Sequence, residues 1–322
     1  MDQQRLTLHK LRNGLQSLML VGAMAGLCGY LAWLIGGAFG AWLALVFVAV
    51  AYALNPAASP RLVMGLFRAE PIHPRSAPRL YAVLEALAER ASLPAVPTLY
   101  YLPSRLMNAF TTGQRGNAAI AVSDGLLRSL DLRQLAGVLG HEMSHIAHDD
   151  TQVMAFADLT ARVTGFLSLL GQALLIVNLP LILFSDYRLD WLPILLLLAA
   201  PTLSALVQLA LSRNREYAAD RNAAELTGDP EGLASALNRM EHYQGRVLER
   251  ILLPGQRIPD PSLLRTHPPT KERIRRLLEL RDKRLARGVP RLPMGWVELD
   301  PLSEFLEREL GRPRWHRSGL WY

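Results

Sequence analysis

Cysteine is almost absent from this chain: Cys28 stands alone in 322 residues. No intramolecular disulfide can form, a thiolate metal cluster has no ligands, and the near-absence agrees with a reducing compartment. No zinc-finger spacing, no aromatic signature of an RNA-binding module and no internal repeat is present. The basic balance, +7 with a pI near 9.8, therefore points away from nucleic acid and towards an anionic membrane surface. Charge is also missing from four long stretches, although 20% of the residues are charged and half are hydrophobic. The apolar residues are clustered.

A helix needs about 20 apolar residues to cross a bilayer. Leu15 to Ile35 carries no charge, nor does the shorter Phe39 to Leu54. Val163 to Phe184 is a third candidate, interrupted by Gln172, Asn178 and Pro180. Trp191 to Leu211 is a fourth, with Pro193 and Pro201 inside it. The spacing predicts two transmembrane hairpins, the second of which also fits a buried helical hairpin in a soluble core. The first block is too long for a signal peptide, and a second run follows directly after Gly36-Gly37. Leu27 before Cys28 is a poor lipoprotein cleavage context. Arg5, Lys10 and Arg12 precede the first run, and Arg61, Arg68 and Arg75 follow the second. Of the links within the hairpins, Gly36-Gly37 has no charge, and Ser185 to Asp190 has only Arg188 against Asp186 and Asp190. Positive flanks stay inside, so both termini and the region between the hairpins are expected in the cytoplasm.

Between the hairpins, Pro78 to Ser92 reads as an amphipathic helix with Leu80, Leu84, Leu87 and Ala91 on one face. Pro97 to Leu102, Asn108 to Thr112 and Asn117 to Val122 read as strands, the last two joined by the turn Gly113-Gln114-Arg115-Gly116. Asp131 and Gln134 form a capping box ahead of a helix with Leu132, Leu135, Leu139 and Ile146 on its apolar face. Asp229-Pro230 opens a later helix, and Thr270 to Arg287 is a charged amphipathic one. The stretch from Val289 to Tyr322, with Trp296, Trp315 and Trp321, shows no period.

The chemistry sits on the capped helix. His141-Glu142-Met143-Ser144-His145 is an HExxH pattern. Residues four apart lie on one helix face, so both imidazoles can reach one Zn²⁺ at about 2.0–2.1 Å. Glu142, next to the first ligand, is placed to take a proton from a water that the metal acidifies. Two ordinary surface histidines would share the pattern, but not its place on a capped amphipathic helix.

Zinc needs a third protein ligand and an open position. Thr151 occupies the place where a further histidine of the extended pattern would fall. His148 lies on a similar face but points towards the next turn. Glu216, in Asn214-Arg215-Glu216-Tyr217-Ala218-Ala219-Asp220, is the better candidate. Asp220, one turn on, can accept the free N–H of a ligand histidine and fix its ring. The same residues would also suit a charged helix face, with Arg215 and Arg221 as partners.

Taken together, Asn108-Ala109-Phe110, the HExxH helix, Arg215-Glu216-Tyr217 with Ala219-Asp220, and Thr266-His267-Pro268-Pro269 followed by Glu272-Arg273-Ile274 resemble the HtpX-type membrane metalloproteases. These are gluzincins related to the CAAX prenyl proteases, and the likeness runs from the first hairpin to about residue 287. The resemblance implies one Zn²⁺ per chain with Glu216 as third ligand and Glu142 as general base. It implies Asn108 and His267 near the substrate, as donors to a developing oxyanion. It also implies that the strand Asn117 to Val122 is an edge that pairs with an extended substrate.

The expected fold is an α-helical membrane protein with a small α+β gluzincin-type zinc protease domain. Its expected parts are a transmembrane hairpin (1–58), a first catalytic part (59–160), a second hairpin (161–212), a second catalytic part (213–287) and a tail (288–322). The expected function is hydrolysis of peptide bonds in membrane or membrane-associated proteins, and the resemblance implies a role in quality control of misfolded ones. The expected setting is the lipid bilayer of the cell inner membrane, with no nucleic acid partner. A scaffold that kept its zinc without turnover would not need Glu142, and a transporter would carry buried charges in its spans.

Overall fold

Two adjacent glycines in the middle of an apolar helix lack the side chains that hold helical dihedrals against alternatives. The computed structural model of the chain describes residues 3–53, 59–184, 191–251 and 268–285. In it the first helix, α1 (Gln3–Ala53), breaks at that pair. Gly36 has φ −130 and ψ 16, and Gly37 has φ 59 and ψ −154, a conformation closed to L side chains.

The elements that follow are α2 (Pro60–Leu66), β1 (Glu70–Pro71), α3 (Pro78–Arg90), β2 (Thr98–Leu102), β3 (Ala109–Gln114), β4 (Asn117–Ser123) and α4 (Asp124–Ser129). After them come α5 (Leu132–Ala147), α6 (Asp150–Val177), α7 (Leu179–Phe184), α8 (Trp191–Thr227), α9 (Pro230–Ile251) and α10 (Thr270–Leu285). They form two units: Met1–Asn55 with Val153–Asn214, and Pro56–Gln152 with Arg215–Tyr322.

The first unit is the apolar one. Three helices of the described chain, Leu18–Val50, Asp150–Val177 and Trp191–Thr227, are long and apolar enough to cross a membrane. Within the unit Met24 packs with Ala157 and Leu211, and Leu31 with Leu197 and Ala200. Ser168 Oγ donates to the Leu197 carbonyl at 2.6 Å, which satisfies a hydroxyl away from water. Phe39, Trp42, Leu45, Phe166, Leu169, Ile176 and Trp191 are all exposed. So much large apolar surface calls for a lipid surround.

The apolar helix α6 differs from the expected third run, Val163–Phe184. It starts at Asp150, directly after α5, and the break between them is Asp149 at φ 53. It stops at Val177, because Pro180 brings no N–H to continue the ladder and a separate short helix takes over. Leu54, the link Ser185–Asp190, Arg287 and the stretch 288–322 lie outside the described residues.

The second unit builds on a four-stranded sheet of order β1-β2-β4-β3, with β2 and β4 parallel and the other pairs antiparallel. Its main core lies on one face, where Ile120 and Val122 meet Leu84 and Leu87 of α3, Leu135 and Leu139 of α5, and Leu233 of α9. On the other face Met64 of α2 covers Ala119 and Ala121. α5 and α9 touch backbone to backbone: a Cβ on Gly137 would lie 2.8 Å from the Leu233 backbone.

Candidate metal centre

The local sequence fixes α5 firmly. Asp131 accepts from the Gln134 N–H at 2.8 Å, and Gln134 Oε1 accepts from the Asp131 N–H at 3.2 Å. This reciprocal cap is the one expected from the sequence. Leu132, Leu135, Leu139 and Ile146 are buried as a stripe, which turns His141 and His145 to one side of the helix. α8 then brings Glu216 and Asp220 to that side.

Three donor groups converge. His141 Nε2 and His145 Nε2 stand 3.2 Å apart. Glu216 Oε2 lies 3.3 Å from the first and Oε1 3.6 Å from the second. Ligands about 2.0–2.1 Å from a tetrahedral metal ion fall about 3.3 Å from one another, so this spacing is that of a ligand set. The group His141, His145 and Glu216 could hold one metal ion.

The far side of each imidazole is also engaged. His141 Nδ1 donates to Asp220 Oδ1 at 3.0 Å, and His145 Nδ1 donates to Asp150 Oδ2 at 2.9 Å. A carboxylate can only accept, so each Nδ1 carries the proton and each Nε2 turns a lone pair inwards. Each carboxylate is in turn held by an arginine. Arg273 of α10 donates to Asp220 from Nε at 2.8 Å and from a terminal nitrogen at 2.6 Å. Arg215 of α8 donates to Asp150 Oδ1.

Charge tells the same story. Glu142, Asp150, Glu216 and Asp220 are buried, against the guanidinium groups of Arg215 and Arg273. With neutral imidazoles the cluster carries two uncompensated negative charges, which one divalent cation would balance. Burial works against a charged His141, yet hydrogen bonds to Asp220 and Glu216 outweigh it and hold its pKa up at about 10.

Residues 74–281 match the sequence pattern of Peptidase family M48. The chain belongs to peptidase family M48. The Protease HtpX homolog of Acidiphilium cryptum (strain JF-5) is 38% identical over 277 residues, covering 80% of this chain and 93% of that protein. That of Acaryochloris marina (strain MBIC 11017) is 39% identical over 237 residues, 69% of this chain and 78% of its own. A crystal structure of S. mikatae Ste24p is similar with a TM-score of 0.48 at 21% identity, over 83% of this chain and 66% of that one. The chain is thus an HtpX-type metallopeptidase of the membrane, as its motifs led one to expect.

Within this M48 site Glu142 is 8% exposed; burial works against the charge of Arg273, and Asp220, then Glu216, then Glu142 more than offset it. His148 caps the end of α5, where its Nδ1 donates to the Ser144 carbonyl at 2.9 Å. It is not in the donor group. Asn108 opens β3: its N–H donates to Ser123 Oγ at 2.9 Å, and its carbonyl accepts from the Ser123 N–H at 3.0 Å. His267 lies outside the described residues.

One expectation is corrected. Asn117–Ser123 is not an edge strand but a central one, paired on both sides, and its neighbour β3 is an edge. The run Ala118 to Ser123 is buried on both faces, the pattern of an interior strand, whereas Ala109, Phe110 and Thr111 of β3 are half-buried. The β3–β4 turn is fastened to the end of α5. Arg115 donates to the Ala147 carbonyl, and Thr151 Oγ1 donates to the Gly113 carbonyl at 3.2 Å. Asp150, Arg215 and Arg273 were not assigned to the site from the sequence, although Arg273 stands six residues after His267 in the family-like block.

Proposed function

We propose that this M48 metallopeptidase is a zinc-dependent endopeptidase that cleaves membrane or membrane-associated proteins in quality control at the cell inner membrane. Its catalytic residues and both termini lie on the cytoplasmic side. His141, His145 and Glu216 are the zinc ligands, and their mutual distances of 3.2, 3.3 and 3.6 Å are the observation that carries this reading. Asp220 fixes the ring of His141.

When bound, the ion supplies Lewis acidity to the scissile carbonyl and to water beside it. Glu142, one residue from the first ligand, takes the proton of the attacking water and passes it to the leaving amine nitrogen. Asn108 and His267 donate to the carbonyl oxygen as negative charge develops there. The edge strand β3, whose turn is tied to the end of α5 by Arg115 and to the start of α6 by Thr151, pairs with an extended substrate.

Glu142→Gln tests this directly. The amide keeps the size of the side chain but cannot take the proton. Purified protein should retain one zinc per chain and lose at least about 100-fold in casein cleavage. Cleavage within tenfold of the parent would remove Glu142 from the role of base.

A further inference from the structure

Both histidines of the site are backed in the same way, a symmetry that the HExxH pattern does not contain. On one side His141 leads to Asp220 and then to Arg273; on the other, His145 leads to Asp150 and then to Arg215. The sequence suggested only Asp220, through its spacing from Glu216. Asp150 stands five residues past His145, beyond the end of α5, and a continuous helix would carry it away from that ring. The left-handed turn at Asp149, φ 53, swings the chain back and sets Asp150 as the first residue of α6. There it is 3% exposed, with both oxygens used: Oδ2 on His145 Nδ1 at 2.9 Å and Oδ1 on Arg215.

We infer that Asp150, held by Arg215, is a positioning residue for the metal centre. It fixes the tautomer and ring angle of His145 and ties that ligand to the segment bearing Glu216. This rests on reading His145 and Glu216 as ligands. A buried carboxylate with one oxygen on an imidazole N–H does two things. It keeps the proton on Nδ1, so the Nε2 lone pair is always available, and it makes that lone pair more basic. Arg215 pairs directly with Asp150, and its planar guanidinium holds one carboxylate orientation.

Arg215 precedes Glu216 in the chain. The second and third donors are thereby joined through Asp150 as well as through a metal. Asp150 and Arg215 are the residues at which α6 and α8 flank the apolar stretch Val153–Asn214. The clasp therefore closes the loop between the two halves of the site, which α6 and the apolar first part of α8 separate in sequence. Without it, His145 would have to be oriented by α5 alone.

The experiment uses the full chain in detergent, with zinc affinity measured by chelator competition and apo-protein unfolding followed separately. Asp150→Asn keeps shape and an acceptor oxygen but loses the charge. It should lower zinc affinity about 10–100-fold, and the separate unfolding measurement reads what the loss of the Asp150–Arg215 ion pair costs the apo protein. Asp150→Ala should lower it at least as much, and Arg215→Met should lower it in the same direction. Combining Asp150→Asn with Arg215→Met should cost less than the product of the two single effects, since the pair acts as one unit. Cobalt-substituted Asp150→Asn should show a shifted visible spectrum, because the ring it orients is a ligand. Zinc affinity within twofold of the parent with an unchanged cobalt spectrum would overturn the inference. His145→Ala separates the two readings: if it too binds zinc at full affinity, the ligand assignment fails, whereas a loss there with none in the Asp150 variants defeats only the clasp.

Discussion

His141 and His145 meet edge to face, their rings at 88° with centroids 4.7 Å apart and their Nε2 atoms 3.2 Å apart. Two neutral imidazoles have no reason to turn both lone pairs to one point. Carboxylates behind both rings impose the arrangement, and Glu216 completes it from α8. Removing Glu216 leaves two donors, too few for a tight site. Glu216→Ala should fall well below one zinc per chain in metal analysis of purified protein. His148→Ala should stay at one, because His148 turns its Nδ1 back to its own helix. The reverse pattern would hand the third position to His148.

Arg273 should be the more costly arginine to lose. Its side chain is 6% exposed, and it offsets Asp220 at 2.6 Å and Glu216 at 3.6 Å. Taking away one member of a buried ion pair strands the other, at about 3–5 kcal/mol. Arg273→Met should lower the thermal unfolding midpoint of the metal-free protein accordingly. Arg273→Lys keeps the charge but not the two-pronged geometry and should fall between. An unfolding midpoint for Arg273→Met equal to that of the parent would mean that Asp220 is satisfied without it.

What the sequence made legible follows from distance along the chain. The capping box Asp131–Gln134, the stripe from Leu132 to Ile146 and the pair His141–His145 all lie within one or a few helical turns, where periodicity speaks directly. Asp220 was reachable because it stands one turn from Glu216. Arg273 meets Asp220 across 53 positions and Arg215 meets Asp150 across 65. At such separations a buried arginine looks in the sequence like any charged residue of a solvated face. The edge strand was misassigned for a different reason. Asn117 to Ser123 has few polar residues at alternate positions, and that continuous apolar character, rather than proximity to the metal helix, indicates its place in the sheet.

Packing offers a prediction with an unusual sign. Glycine within a helix normally costs about 1 kcal/mol relative to alanine. Gly65 of α2 follows that rule: a Cβ there meets nothing within 4 Å. Gly65→Ala should therefore stabilise slightly. At Gly137 the Cβ would sit 2.8 Å from the Leu233 backbone, so α5 and α9 must separate. Gly137→Ala should destabilise by about 1–3 kcal/mol. Denaturant midpoints of the two variants should move in opposite directions, and a common direction would refute the close approach of α5 and α9.

Orientation in the membrane can be settled without reference to catalysis. His145 on α5 and Glu216 on α8 belong to one donor group, yet the apolar stretch Val153–Asn214 lies between them in sequence. A single crossing by that stretch would put the two on opposite sides of the bilayer, so it crosses twice or not at all. Positive flanks are expected to resist translocation: Arg5, Lys10 and Arg12 before the first apolar run, and Arg61 and Arg68 after the second. Gly36-Gly37, where α1 breaks, is too short to hold a domain on the far side. We therefore expect the catalytic residues in the cytoplasm. Glu85 is exposed on α3, in the unit that carries the site. In a Cys28→Ala background, a cysteine at Glu85 should resist an impermeant thiol reagent in intact cells and react once they are opened. A cysteine introduced at Gly37 should behave in the opposite way if the first hairpin spans the bilayer. Labelling at Glu85 in intact cells would invert the orientation and leave the metal centre where it is.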